Sequence, residues 1–160
     1  LGPLNMGICR GLNLLLGMSI ISGSFMPWWF LTFIPVIYIA SITMISRGEV
    51  HGGSPVLLYA ASFFYLLVAA GILYFSWRVQ TQAVTAAFLL LFFWMIFPPL
   101  IAAIRQPIGK NIGRAVRAGV IALIVMDASM AAAFGSLYPA LIIVLLLPVS
   151  LWLSGLFAVT

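Results

Sequence analysis

The sequence predicts an all-α, polytopic membrane protein, a bundle of six spanning helices. Three observations carry that prediction. Of the 160 residues, 65% are hydrophobic and only 6% charged, far from the roughly one-quarter charged residues of a soluble domain. The apolar residues fall into long runs separated by glycine, proline and basic residues, as spanning helices do. No stretch alternates polar and apolar positions in the way a membrane barrel requires, so the backbone must satisfy itself within helices.

A span needs about 20 apolar residues to cross roughly 30 Å of hydrocarbon. The first runs from about Leu4 to Ile21 and stops at Ser22, Gly23 and Ser24; the second runs from about Trp28 to Ser46. Pro55 opens the third, to about Trp77, at a first-turn position where a missing N–H is harmless. The fourth covers about Ala83 to Ile104, with Pro98 and Pro99 expected to break or kink it. The fifth begins near Ile112, is apolar after Arg117 except for Asp127, and ends at Gly135; the sixth runs from about Leu137 to Val159. The chain begins at Leu1 without a methionine and enters apolar sequence directly, which reads as part of a longer protein. No secretory signal pattern precedes the first run.

Charge sets the orientation. Seven Lys and Arg face two Asp and Glu. With six spans, Arg47, Arg105, Lys110, Arg114 and Arg117 share one side, with Arg10 near it, and Arg78 alone lies on the other. The positive-inside rule makes the basic side cytoplasmic. Trp28, Trp29, Trp77 and Tyr138 fall at the opposite ends, as an interfacial aromatic belt does. The basic residues stand singly beside apolar runs, so they mark orientation and not a nucleic-acid surface. One cysteine, Cys9, excludes a disulfide framework and a thiolate metal cage.

The residues most informative about function are those that lipid penalises. Arg10 lies in the first span, and Gly7, Arg10, Asn13 and Gly17 recur at spacings of three and four on one face. Two readings stay open: the glycines admit a neighbouring helix while Arg10 snorkels to the headgroups, or Arg10 and Asn13 face a polar cavity and bind an anionic group such as a diphosphate. The stretch from Ser46 to Gly53, read as a cytoplasmic loop, holds Arg47, Glu49, His51 and three glycines. It is a solvated turn or a ligand loop. As a metal site it is thin, with one carboxylate, and His51 has the chemistry of a proton acceptor without anything that fixes its role. Asp127, midway along the fifth span, either hydrogen-bonds as protonated helix glue or lines a cavity, and it requires a partner in the bundle.

The strings GPLNMGICRGLNLLLGMS (Gly2 to Ser19) and TMISRGEVHGG (Thr43 to Gly53) resemble the second half of the UbiA prenyltransferase superfamily, closest to its EboC branch. RAVRAGVIALIVMDA (Arg114 to Ala128) and the terminal LFAVT resemble it too. The resemblance implies residues 1–104 as the second four-helix half, residues 105–160 as two further spanning helices, and a missing N-terminal half. It also implies a bacterial plasma membrane and transfer of an isoprenoid group from its diphosphate to a lipophilic, conceivably aromatic, acceptor. Mg²⁺ is the implied cofactor, with Glu49 at the metal and Arg10, Asn13 and Arg47 on the diphosphate; His51 and Asp127 rank lower as cavity residues, and no catalytic residue is assigned. Two departures matter. The family's second D-x-x-x-D motif would place Gly53 where a second carboxylate belongs, and the first motif is absent, so this chain by itself is expected to be inactive and poorly stable. The rival expectation is a UbiA-like protein that handles a lipid or metabolite without catalysis. A six-span transporter unrelated to that family would require the chain to be complete.

Overall fold

The computed structural model describes residues 2–20, 29–51 and 54–156, without the side chains of 49–51 and 154–156. Helix α1 spans Gly2–Ser19, and a short 3-10 turn, Trp29–Thr32, leads into α2, Phe33–His51. Then come α3 (Pro55–Val79), α4 (Gln82–Arg105), α5 (Gly109–Ala133) and α6 (Leu137–Leu156). Among the described residues there is no strand. Four helices, α2 with its leading turn and α3 to α5, are long and apolar enough to cross a membrane. Of the six predicted spans, α1 and α6 fall outside that set. Asn5, Arg10 and Asn13 dilute the 18 residues of α1, and the apolar part of α6 with described side chains, Leu137–Leu153, is short.

Local chemistry explains the boundaries. Gln80 closes α3 in the left-handed region at φ 63°, and Gly135, at φ 79°, turns the chain between α5 and α6. The Thr81 hydroxyl donates to the Ala133 carbonyl at 3.0 Å, tying the α3–α4 turn to the end of α5. Hydroxyls inside the apolar helices satisfy themselves locally: Ser41 on Ile37, Thr43 on Ile39 and Ser62 on Leu58, at 2.7 to 2.9 Å.

One expectation about helix continuity narrows, since the break alternative at Pro98–Pro99 falls away, and one changes. Helix α4 runs through Pro98 and Pro99 to Arg105. The prolines leave the carbonyls of Trp94 and Met95 without their usual donors, which spanning helices tolerate when neighbouring turns adjust. Ser46 to His51, read as a loop, continues α2 as helix, with Gly48 buried against the bundle; Gly52 and Gly53 lie outside the described residues. A buried glycine in a helix permits close packing, and here that use outweighs its helix-breaking tendency.

Helix α5 is the centre. It packs against α2, α3, α4 and α6, burying Ala115, Gly119, Ala122, Ala128, Ser129, Ala132 and Ala133. Small side chains bring the neighbours near enough for Tyr38 to donate its hydroxyl to the Gly119 carbonyl at 2.7 Å. Tyr38, Tyr65 and Phe92, from α2, α3 and α4, form the central aromatic cluster, with centroids 5.4 to 6.4 Å apart. The Tyr65 hydroxyl is buried with no hydrogen-bond partner among the described residues.

Helix α1 docks on α2 through glycine. A Cβ placed on Gly7 would lie 2.5 Å from the Val36 carbonyl oxygen, and one on Gly11 would lie 2.6 Å from Val36 Cγ2. Gly17, expected on the same seam, meets nothing within 4 Å. The packing seam is therefore Gly7 and Gly11, one turn apart, and Arg10 and Asn13 are turned away from it.

Gly7→Ala pushes a methyl into backbone that cannot yield cheaply and should cost about 1–3 kcal/mol. Gly17→Ala, in open space, should be neutral or stabilise by up to about 1 kcal/mol. Thermal unfolding of both variants in one detergent checks the contrast. Tyr65→Phe removes an unpaired buried hydroxyl and should leave the midpoint unchanged or raise it; a drop of several degrees would show that the hydroxyl has a partner.

Candidate functional site

The site forms where α1 leans toward the far half of α5. Arg10 Nη2 donates to Asp127 Oδ2 at 2.8 Å across 117 residues of sequence. The pair sits at the edge of a cleft of about 400 Å³ lined by Arg10, Asn13, Leu14, Pro35, Asp127, Met130, Ala131 and Phe134. That volume lies within the usual range for small-molecule pockets. Its chemistry is two-sided: a guanidinium, an amide and a carboxylate at one end, and Leu14, Pro35, Met130, Ala131 and Phe134 on the walls.

The backbone dictates this arrangement. The seating of Gly7 and Gly11 on α2 fixes the rotation of α1, which aims Arg10 and Asn13 toward α5. Helices α2 and α5 run antiparallel: Ile42 abuts Gly119, whereas Leu31 and Ile34 meet Met130 and Ala133. The cleft therefore lies toward the end marked by Trp29, Trp77 and Tyr138, all exposed. The side chains of Arg10 and Asp127 are 41% and 36% exposed, so both are reachable from the cleft. A carboxylate and a guanidinium in contact cancel most of each other's field, which is how lipid tolerates either.

The candidates divide between two places. Arg10, Asn13 and Asp127 meet in the cleft. Arg47 does not join them; it lies exposed at the other end of α2, close enough to Gly2 that a Cβ there would be 3.0 Å from its guanidinium. From Gly2 to Arg10 is about 12 Å of helix rise, so one small anion does not span Arg47 and Arg10. Glu49 and His51 lie on the last turn of α2, and their side chains are outside the described residues. Among the described residues no three His, Cys, Asp or Glu gather.

Asp127 lines the cleft, the second of its two alternatives, and in place of protonated helix glue it forms an ion pair with Arg10. The sequence carried a signal for that pairing, because Arg10 and Asp127 are opposite charges deep in two apolar runs and each requires a counter-charge. It carried no signal for Pro35, Met130, Ala131 and Phe134 as cleft walls, because these match any lipid-facing position.

Removing either charge strands the other in an apolar setting. Asp127→Asn or Arg10→Met should each destabilise the protein by roughly 2–3 kcal/mol, and the double variant Arg10→Met/Asp127→Leu should recover most of the loss. A double-variant cycle of thermal midpoints in detergent measures this, and additive losses would show that the two residues act separately.

No family model, no curated protein and no solved structure matches this chain.

Proposed function

We propose that this chain is the second half of a UbiA-type membrane bundle whose complete form transfers an isoprenoid group from its diphosphate to a lipophilic acceptor, aromatic acceptors included. The observation that carries the reading is the two-sided cleft, whose apolar walls suit an isoprenoid chain or acceptor and whose polar end orients it. The likeness of Gly2 to Ser19 and Thr43 to Gly53 to the family adds support, since those segments supply α1 and the end of α2. In this reading α1 and α6 are also membrane spans and the Arg47 end faces the cytoplasm of a bacterium, the side favoured by the basic residues. The diphosphate would lie at that end near Arg47 and Glu49, with its chain directed along α1 toward the cleft.

Magnesium enters by resemblance alone, and this chain offers it a single carboxylate. Of its two acids, Asp127 is committed to Arg10, which leaves Glu49 by itself. A magnesium ion held by protein uses one or two carboxylates together with substrate phosphates. The remaining ligands would have to come from the other half of the bundle.

A second reading is favoured by one specific observation. Because Arg10 is matched by Asp127, the polar end of the cleft has little net charge, which suits an uncharged lipid or metabolite. The protein would then hold such a molecule without chemistry.

The test uses the full-length protein in lipid vesicles with a radiolabelled isoprenyl diphosphate and Mg²⁺. Ala131→Trp fills the cleft and should lower transfer at least about tenfold, and Glu49→Gln by about 10- to 100-fold. Wild-type-like turnover in both variants would overturn the placement of the site. No turnover by the wild type, together with retention of a photoreactive prenol that Ala131→Trp abolishes, would establish the second reading.

A further inference from the structure

The end of the bundle away from the cleft carries a concentration of positive charge that neither the cleft nor its ion pair uses. Five of the seven Lys and Arg residues lie there: Arg47 on the last turns of α2, Arg105 at the end of α4, and Lys110, Arg114 and Arg117 at the start of α5. All five are exposed. Their common level follows from the packing. Ile42 touches the position of a Gly119 Cβ at 3.1 Å, and five residues along each antiparallel helix bring Arg47 and Arg114 to the same height. The three-residue turn between α4 and α5 sets Arg105 beside Lys110. Lys110, Arg114 and Arg117, spaced by four and three, share one face of α5. Glu49 on α2 is the one acid near this end, so the excess charge there is still strongly positive.

The apolar surface beneath these cations identifies the partner. Val120, one turn below Arg117 toward the apolar part of α5, is 54% exposed. Down the helix the same region passes from cations to apolar side chains, the sequence of environments from phospholipid headgroup to acyl chain. A soluble polyanion or nucleic acid offers no such apolar layer. The flanking helices α4 and α5 are long and apolar enough to cross the bilayer, so this end stands at headgroup depth.

We propose that Arg105, Lys110 and Arg114, with Arg47 and Arg117 reinforcing the field, form a binding surface for anionic phospholipid headgroups around the α4–α5 turn. Phosphates bridge guanidinium and ammonium groups across the turn while the acyl chains lie along the apolar surface of α5 from Val120 inward. The surface anchors the depth of α5, and through α5 the position of Asp127 in the cleft. It stands on the membrane character of the chain and does not depend on any transferase activity.

The experiment is lipid selectivity of the full-length protein in phosphatidylcholine membranes, read by electron paramagnetic resonance of spin-labelled phosphatidylglycerol against spin-labelled phosphatidylcholine. Wild type should prefer phosphatidylglycerol by about fivefold or more at low salt. Lys110→Gln/Arg114→Gln should bring the ratio near one, whereas the charge-keeping Lys110→Arg/Arg114→Lys and the opposite-end Arg78→Gln should retain it. Equal selectivity in wild type and Lys110→Gln/Arg114→Gln would overturn the proposal. So would displacement of the lipid by inorganic diphosphate beyond that caused by sodium chloride of matched ionic strength, which would assign the surface to a soluble diphosphate. Ala131→Trp, which tests turnover at the cleft and lies toward the opposite end of the bundle, should leave the ratio unchanged, so failure of the transferase reading and failure of this one are separable.

Discussion

The bundle depends on close approach to α5. In lipid there is little hydrophobic drive to press one helix on another, so association rests on van der Waals fit and on polar groups that find partners. Alanine, glycine and serine along α5 permit that fit, and a Cβ at residue 119, where Tyr38 meets the carbonyl, would press on Ile42 at 3.1 Å and on the Tyr65 hydroxyl at 3.3 Å. Helices α2, α3, α4 and α6 gather around this small-residue core. The aromatic cluster of Tyr38, Tyr65 and Phe92 fills the space that the small residues leave open.

Helix α1 belongs to the structure on different terms. It touches the bundle through the glycine seam on α2 and the 3-10 turn, and among the described residues it reaches α5 through the Arg10–Asp127 ion pair. Its other face leaves Leu4, Met6, Leu12 and Leu16 exposed. The cleft exists because α1 is held at its glycine seam and spaced from α5 by the length of an arginine. The same ion pair that neutralises an intramembrane carboxylate therefore also shapes the pocket.

Charge divides the molecule into two chemically distinct ends. One holds the pair Arg10–Asp127 with aromatic residues nearby; the other carries five cations and one acid. A matched pair creates a local polar site with a short-range field, while clustered like charges create a field that attracts anions from a distance. Arg47 and Arg10, grouped on one ligand by family resemblance, fall to opposite sides of this division, because helix rise and not chemical type sets how far apart they are.

Composition and the lengths of the apolar runs determined that this chain is helical and lives in a membrane, since lipid leaves the backbone few other options. The positions of α3, α4 and α5 were legible to within a few residues, because Pro55, Gln80–Thr81 and the Gln106–Ile108 turn interrupt long apolar stretches. The sequence also marked Arg10 and Asp127 as anomalies, because lipid makes a lone charge costly. Tertiary structure decided the rest: that these two charges are each other's partners, that Gly11 and not Gly17 seats α1, that α2 remains helical through Gly48, and that the Pro98–Pro99 pair does not end α4. Each of these depends on which face of one helix meets which face of another. Apolar residues in a membrane helix look alike whether they face lipid or protein, so periodicity alone does not reveal that choice.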